Sequence, residues 1–198
     1  MSSRDFIFEC LRKSVHLVSV LIVLIYEFFG KETILWVLMT FLIAVLFLDY
    51  LRLEQGLKIP LFHTMYREKE ACRMGGHIYF SLGSIASIAL FSREIAYAAV
   101  LMATFGDFSA AFVGKFCGKH KVFRKAFKNN KTLEGSTAEF FVDFVIGFYF
   151  LGNPVIAFLM AFFATLAETA VNKIDDNLAV PVISGFFGQL AFLLLDSL

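Results

Sequence analysis

Apolar and charged stretches alternate along the chain. Seven apolar runs stand out, at 14–29, 33–48, 78–91, 95–113, 138–151, 154–171 and 178–195. Several are shorter than the roughly 20 residues with which a straight helix crosses the hydrocarbon core, so the helices are expected to extend into their polar flanks. Inside lipid, backbone N–H and C=O groups must be bonded within their own segment, which makes these runs helices rather than strands. The pattern predicts an all-α integral membrane protein of about seven transmembrane helices. It forms one polytopic membrane domain over residues 1–198.

Composition agrees. Hydrophobic residues make up 59% of the chain, with 26 Phe and a mean hydropathy of +0.74, against an apolar share of roughly 45–50% in soluble proteins. The net charge of +1 argues against nucleic acid as a main partner. That balance conceals a segregation. Basic residues gather at the N-terminus (Arg4, Arg12, Lys13), in 50–77 (Arg52, Lys58, Arg67, Lys69, Arg73) and in 114–136 (Lys115, Lys119, Lys121, Arg124, Lys125, Lys128, Lys131). The connections at 30–32, 92–94 and 152–153 are very short. With seven spans, each basic interval falls on one side and each short connection on the other. The positive-inside rule then sets the N-terminus in the cytoplasm and the C-terminus outside, in a cell membrane or an ER-type membrane. No small-residue cleavage site follows the first apolar run, so the N-terminus does not read as a cleavable signal peptide. Cys10, Cys72 and Cys117 are far apart and odd in number, and read as reduced, unpaired thiols.

An ionisable group in or beside a membrane span costs roughly 3 kcal/mol or more, so each one calls for a reason. Asp107 lies inside the fourth run, after Thr104-Phe105-Gly106, and Glu168 and Asp175-Asp176-Asn177 end the sixth and follow it. His16 sits just inside the first run. Asp49 and Arg52, three residues apart, read as a helix-end ion pair. Glu139 and Asp143, one turn apart, read as facing a polar bundle interior. Phe pairs such as Phe140-Phe141 and Phe162-Phe163 read as packing or lipid-facing residues.

The carboxylates at 107 and 175–176 lie on the same predicted membrane face as the lysine-rich interval. That combination suits a nucleotide–metal site, because Mg²⁺ takes oxygen ligands from one or two carboxylates and from substrate phosphates. Gly114-Lys115-Phe116-Cys117-Gly118-Lys119-His120-Lys121 offers glycines and cations for phosphate oxygens. Lys131-Thr132-Leu133-Glu134-Gly135-Ser136 adds a lysine and hydroxyls at the start of a predicted helix, where the dipole favours an anion. It is not a Walker A loop. A basic loop for anionic lipid headgroups is the other reading of the same residues.

These pieces together resemble the CTP-dependent polyprenol kinase family, which includes dolichol kinase, phytol kinase and CTP-dependent diacylglycerol kinase. The likeness is carried by Arg12-Lys13-x-x-His16 and by Gly106-Asp107-x-x-Ala110-Ala111-x-x-Gly114-Lys115-x-x-Gly118. It continues through Lys131-Thr132-x-Glu134-Gly135-Ser136 to Glu168 and Asp175-Asp176-Asn177-Leu178-x-x-Pro181, the last element being nearest to the phytol- and dolichol-kinase-like branch. The resemblance implies transfer of the γ-phosphoryl of CTP to an isoprenoid alcohol of the polyprenol, dolichol or phytol type at the cytoplasmic membrane face, with release of CDP. It implies Asp107, Glu168, Asp175, Asp176 and Asn177 as catalytic residues, with Mg²⁺ held by Asp107, Asp175 and Asp176. Arg12, Lys13, His16, Gly114, Lys115, Gly118, Lys119, His120, Lys121, Lys131, Thr132, Glu134, Gly135 and Ser136 are implied to bind nucleotide.

Part of the same stretch is also similar to phosphatidate cytidylyltransferases, which join CMP to a lipid phosphate and release pyrophosphate. Arg12-Lys13-x-x-His16 and the Asp-Asn-Leu-x-x-Pro element favour the kinase. A small transporter or channel is the rival from another class; it would spread its carboxylates through the membrane depth. A non-catalytic scaffold on anionic lipid would have no use for Asp175-Asp176-Asn177.

Overall fold

The computed structural model describes residues 19–55, 74–121, 131–170 and 174–196. Every element there is helical, apart from an isolated antiparallel bridge between Lys121 and Thr132. In order, the elements are α1 (Ser19–Gln55), α2 (Gly76–Leu90), α3 (Arg93–Leu101), a π-helical turn (Met102–Gly106), α4 (Asp107–Phe116), α5 (Leu133–Leu151), α6 (Pro154–Ala170) and α7 (Asp176–Asp196). Three stretches are long and apolar enough to cross a membrane: Ser19–Glu54, Arg93–Phe116 and Asp176–Leu195. α2 and α6 are apolar but shorter. The chain divides into two compact units, Met1–Leu82 and Gly83–Leu198.

In the first unit, the described part of the apolar run predicted at 14–29, from Ser19 on, and the run at 33–48 lie within one helical stretch. A single residue breaks it: Gly30 takes φ 87° and ψ 172°, a conformation that glycine reaches without a Cβ penalty. The interval 30–32 is too short to build a loop, so one glycine makes the change of direction. Near the end of α1, the buried Asp49 accepts from Arg52 Nε (2.7 Å) and from the backbone N–H of Gly75 (3.1 Å). The ion pair expected from the i, i+3 spacing is therefore present. It also ties the residues just before α2 to the end of α1.

The second unit is built around close helix contacts. In α3, Ile95 through Leu101 are all buried, and the helix packs on α5 and α7. Its axis continues through the π-helical turn into α4, so the run at 95–113 is a single helical rod with one irregular turn. α6 buries Ala157, Ala161, Ala164 and Ala167, and such small side chains let helix backbones approach without cavities. α5 and α6 form an antiparallel hairpin whose turn is legible residue by residue. Gly152 ends α5 in the left-handed region (φ 62°) and donates to Phe148 O (2.9 Å). Asn153 Oδ1 accepts from Val155 N (2.9 Å), and Pro154 occupies the first helical position, where its missing N–H costs nothing. Within the hairpin a Cβ on Gly147 would come 3.0 Å from Ala157 Cα.

Large side chains point outward. Rows at i, i+4 spacing stack as Phe108–Phe112, Phe140–Phe144–Phe148 and Phe158–Phe162. Phe112, Phe148, Phe158 and Phe162 are exposed, as a lipid-facing surface requires. The structure thus supports a membrane protein on composition, helix length and the apolar character of its outer surface.

Candidate functional site

The site starts from the line where α4 meets α5. Gly106, Ala110 and Gly114 recur every four residues and so share one helix face. A Cβ on Gly106 would meet Asp143 Oδ1 at 2.5 Å, and one on Gly114 would meet Thr132 Oγ1 at 2.9 Å. From the other helix, a Cβ on Gly135 would sit 2.6 Å from Ala110 O. Gly118 closes the row, with Thr132 Cγ2 at 2.7 Å from its own notional Cβ. The glycines that the resemblance implied for nucleotide binding therefore have a packing role: they bring two backbones together and leave no room for side chains.

The helix start at 131–136 is fixed locally. Thr132 is the N-cap of α5 and its Oγ1 accepts from Gly135 N (3.2 Å). Leu133 N donates to His120 O (2.9 Å), and Glu134 reaches back to the Gly118–Lys121 segment. Its carboxylate accepts from the His120 backbone N–H (3.2 Å) and contacts His120 Nδ1 (2.7 Å). Hydrogen bonds from its own backbone N–H and from the His120 side chain hold the Glu134 carboxyl down to about 2. This clasp fixes the lysine-bearing segment against the start of α5. Lys115, Lys119 and Lys121 are exposed there.

Lys131 is turned inward. Its Nζ lies 3.9 Å from Asp107 Oδ1 and pairs directly with Glu168 Oε1. Glu168 is 1% exposed, Lys131 20% and Asp107 27%, so one ammonium joins a buried carboxylate on α6 to a half-buried one on α4. Asp107 opens α4 directly after the π-helical turn, and such turns are frequent at functional sites. Three predicted site residues, more than 60 positions apart at the extremes (107 to 168), thus come to one point.

Asp175, Asp176 and Asn177 form the start of α7. Asp175 Oδ1 accepts from Asn177 N (3.1 Å) and Asn177 Nδ2 (2.8 Å), which caps the helix, and Asp176 opens its first turn. Pro181 has no N–H to bond the Asn177 carbonyl, and Gly83 of α2 packs there: its Cβ would come 2.7 Å from Asn177 O and 2.8 Å from Pro181 Cγ. Arg12, Lys13 and His16 lie outside the described residues, as do Arg124, Lys125 and Lys128, and Cys10 and Cys72. Cys117 is an exposed free thiol.

Sequence reasoning placed Glu139 and Asp143 in a polar interior, and both are fully buried. It did not see that Gly135, Glu139, Asp143 and Gly147 are the buried residues of α5. Their uniform four-residue spacing was the available signal. Among the described residues no three His, Cys, Asp or Glu side chains converge as metal ligands. A hard divalent ion in this region would therefore rely on one or two carboxylates and on the oxygens of whatever it accompanies, which is the usual way of Mg²⁺. The fully buried Glu168 carboxylate, already neutralised by a cation, fits that requirement together with Asp107.

Comparison with known proteins gives named relatives of one kind and one uncharacterised relative. The chain is 28% identical over 179 residues to CTP-dependent diacylglycerol kinase 1 of Eremothecium gossypii, covering 73% of this chain and 54% of that protein. It is 26% identical over 190 residues to the Saccharomyces cerevisiae protein of the same name, covering 79% of this chain and 63% of the relative. An uncharacterised protein of Rickettsia prowazekii is 26% identical over 200 residues, with 92% and 94% covered. The chain spans about half the length of the first of these relatives, 54%. No family model and no solved structure matches it. The named relatives support the CTP-dependent lipid kinase family, without favouring its phytol- or dolichol-kinase branch.

Proposed function

We propose that this chain is a CTP-dependent kinase that transfers the γ-phosphoryl group to the hydroxyl of a membrane lipid alcohol, releasing CDP. The reaction takes place at the cytoplasmic face of a single polytopic membrane domain of seven spans, with the N-terminus inside and the C-terminus outside. The observation that carries the reading is the Lys131 ammonium held between Asp107 and Glu168. Two carboxylates that share one cation in a membrane protein form a place for positive charge beside a lysine-bearing loop. Phosphoryl transfer needs chiefly positioning and stabilisation of charge on the equatorial oxygens, which such a site supplies.

Asp107 and Glu168 would hold Mg²⁺, with Asp175 and Asp176 as further carboxylates at the same predicted face. When bound, Mg²⁺ neutralises triphosphate oxygens and fixes their orientation. Lys131 pairs with phosphate oxygen once its carboxylates are otherwise engaged. Lys115, Lys119 and Lys121 add cations from the exposed segment, and the start of α5 at Thr132–Ser136 adds a favourable dipole. Arg12, Lys13 and His16 complete the nucleotide set on the strength of the family likeness. The hydroxyl proton passes to Asp175 or Asp176.

Diacylglycerol is the first acceptor to test, because the named relatives are diacylglycerol kinases. An isoprenoid alcohol is the second, on the likeness of Asp175-Asp176-Asn177-Leu178-x-x-Pro181 to the phytol-kinase-like branch. Purified full-length protein with γ-labelled CTP, Mg²⁺ and each lipid in mixed micelles decides. Label in the lipid is the expected outcome, and the acceptor that takes it identifies the substrate class. Asp107→Asn should lower the rate by about 10²-fold or more, as loss of one preorganised charge-stabilising group does, while the protein still inserts and folds. Released pyrophosphate without lipid label would mean a cytidylyltransferase; neither product would overturn the enzymatic reading.

A further inference from the structure

The cation between Asp107 and Glu168 is tethered to the chain, and the backbone that carries it is held on two sides. Lys131 directly precedes Thr132, which caps α5 through Oγ1 (Gly135 N at 3.2 Å) and pairs across the isolated bridge with Lys121. Leu133 N donates to His120 O (2.9 Å), and Ser136 N donates to Thr132 O (3.0 Å). Asp107 and Glu168 stand on α4 and α6, so their backbones are fixed as well. The part with room to rearrange is the Lys131 side chain, an ammonium on a flexible four-carbon stem.

Its Nζ pairs with Glu168 Oε1 and lies 3.9 Å from Asp107 Oδ1. Those are oxygens that the proposed Mg²⁺ would need, so ammonium and divalent ion compete for the same places. Glu168 is 1% exposed and Lys131 20%, and a charge so far from water is strongly destabilising once its partner leaves. The ammonium therefore does not withdraw alone. Glu168 needs another cation at that moment, and Lys131 needs an anion. A triphosphate with its divalent ion brings both. The bridge sets the exposed Lys121 opposite Thr132, so an anion drawn to the lysine segment arrives next to the residue that carries the ammonium.

We infer that Lys131 stands in for the metal in the nucleotide-free protein: its ammonium occupies the Asp107 and Glu168 oxygens, shuts out a free divalent ion, and gives way when polyphosphate and ion arrive together. The trigger rests on the phosphate-handling reading above, whereas exclusion of the free ion rests on the Asp107–Lys131–Glu168 contacts alone. Binding of either component then favours the other, because such coupling is reciprocal. The order keeps a buried carboxylate paired throughout, first by the ammonium and then by an ion already held on phosphate oxygens.

Mn²⁺ binding to purified full-length protein, counted by electron paramagnetic resonance without nucleotide or lipid acceptor, tests the exclusion. Lys131→Met keeps most of the stem and removes the charge. It should bind Mn²⁺ more tightly than the wild type, by about 5–150-fold, the usual range for coupled sites. Lys131→Met/Glu168→Gln should lose that gain, and Lys131→Arg should exclude the ion as the wild type does. Loss of a purely structural lysine gives no gain in metal affinity, so a Lys131→Met protein that binds Mn²⁺ no more tightly than the wild type would overturn the proposal. Should Lys131→Met not fold, Glu168→Gln decides: equal binding by it and the nucleotide-free wild type upholds the exclusion, and loss of an ion that the wild type holds sinks it. Added CTP tests the trigger separately, and should bring a further Mn²⁺ to the wild type but not to Glu168→Gln. A gain in Lys131→Met with no effect of CTP on the wild type would uphold the exclusion and overturn the nucleotide as its trigger, which is how failure of the kinase reading would show.

Discussion

At the scale of single residues, the glycines of this chain separate into two kinds. Gly30 and Gly152 are needed for their backbone angles, φ 87° and 62°. Gly106, Gly114 and Gly135 have ordinary helical or near-helical backbones and are needed for closeness. Gly135 is the sharpest case, because the obstacle to its Cβ is the Ala110 carbonyl, a backbone atom 2.6 Å away that cannot rotate aside. Gly135→Ala is therefore expected to destabilise the folded protein by about 1–3 kcal/mol, as overpacking does in a filled core. The gain in helix propensity, about 1 kcal/mol, offsets only part of that. Thermal unfolding in detergent measures it; an unchanged midpoint would mean that α4 and α5 are not in contact there. None of this was legible from the resemblance, which marks the glycines but gives no reason for them. The four-residue spacing of Gly106, Ala110 and Gly114 held the reason.

At the scale of elements, each apolar run lies on a helix wherever residues are described, and the turn signals at 152–154 act as their chemistry dictates. What the pattern could not give was how elements meet. The Lys131–Glu168 pair joins the start of α5 to the far end of α6, a contact set by the hairpin register and invisible to a local window. The Glu134 clasp to His120 is of the same kind, joining α5 to the segment after α4. Its pH dependence follows from the direction of the shift. A carboxyl held at about 2, below its ordinary 4.5, contributes its stability above the ordinary range and loses it as the pH falls from there toward 2. A ¹³C titration of the Glu134 carboxyl should show a midpoint near 2, moving up toward the ordinary range in His120→Ala. A midpoint at 4.5 in the wild type would mean that the clasp does not hold in solution.

At the scale of the whole molecule, the proposed topology makes a demand on the cysteines. Cys10, Cys72 and Cys117 belong to the N-terminal and basic intervals that positive-inside assigns to the cytoplasm. In a variant that keeps Cys117 alone, a membrane-impermeant maleimide should label inside-out vesicles and spare right-side-out ones. A cysteine added after the last residue should give the opposite result if the number of spans is odd. Labelling of both from the same side would remove the seven-span arrangement. Composition alone made the membrane assignment legible. The span count is harder to read, because α2 and α6 are shorter than a straight crossing and α1 is one stretch with a break.

The two-residue turn between α5 and α6 bears on how the protein is made. Taken alone, α5 would present Glu139 and Asp143 to lipid, at roughly 3 kcal/mol or more for each during insertion. α6 follows with only Gly152 and Asn153 between, and its alanine stripe lies against the Gly147 face as soon as the two helices meet. The hairpin, rather than either helix, is then the unit that enters the bilayer. A ribosome would have to release both halves before the acidic seam is sheltered from hydrocarbon.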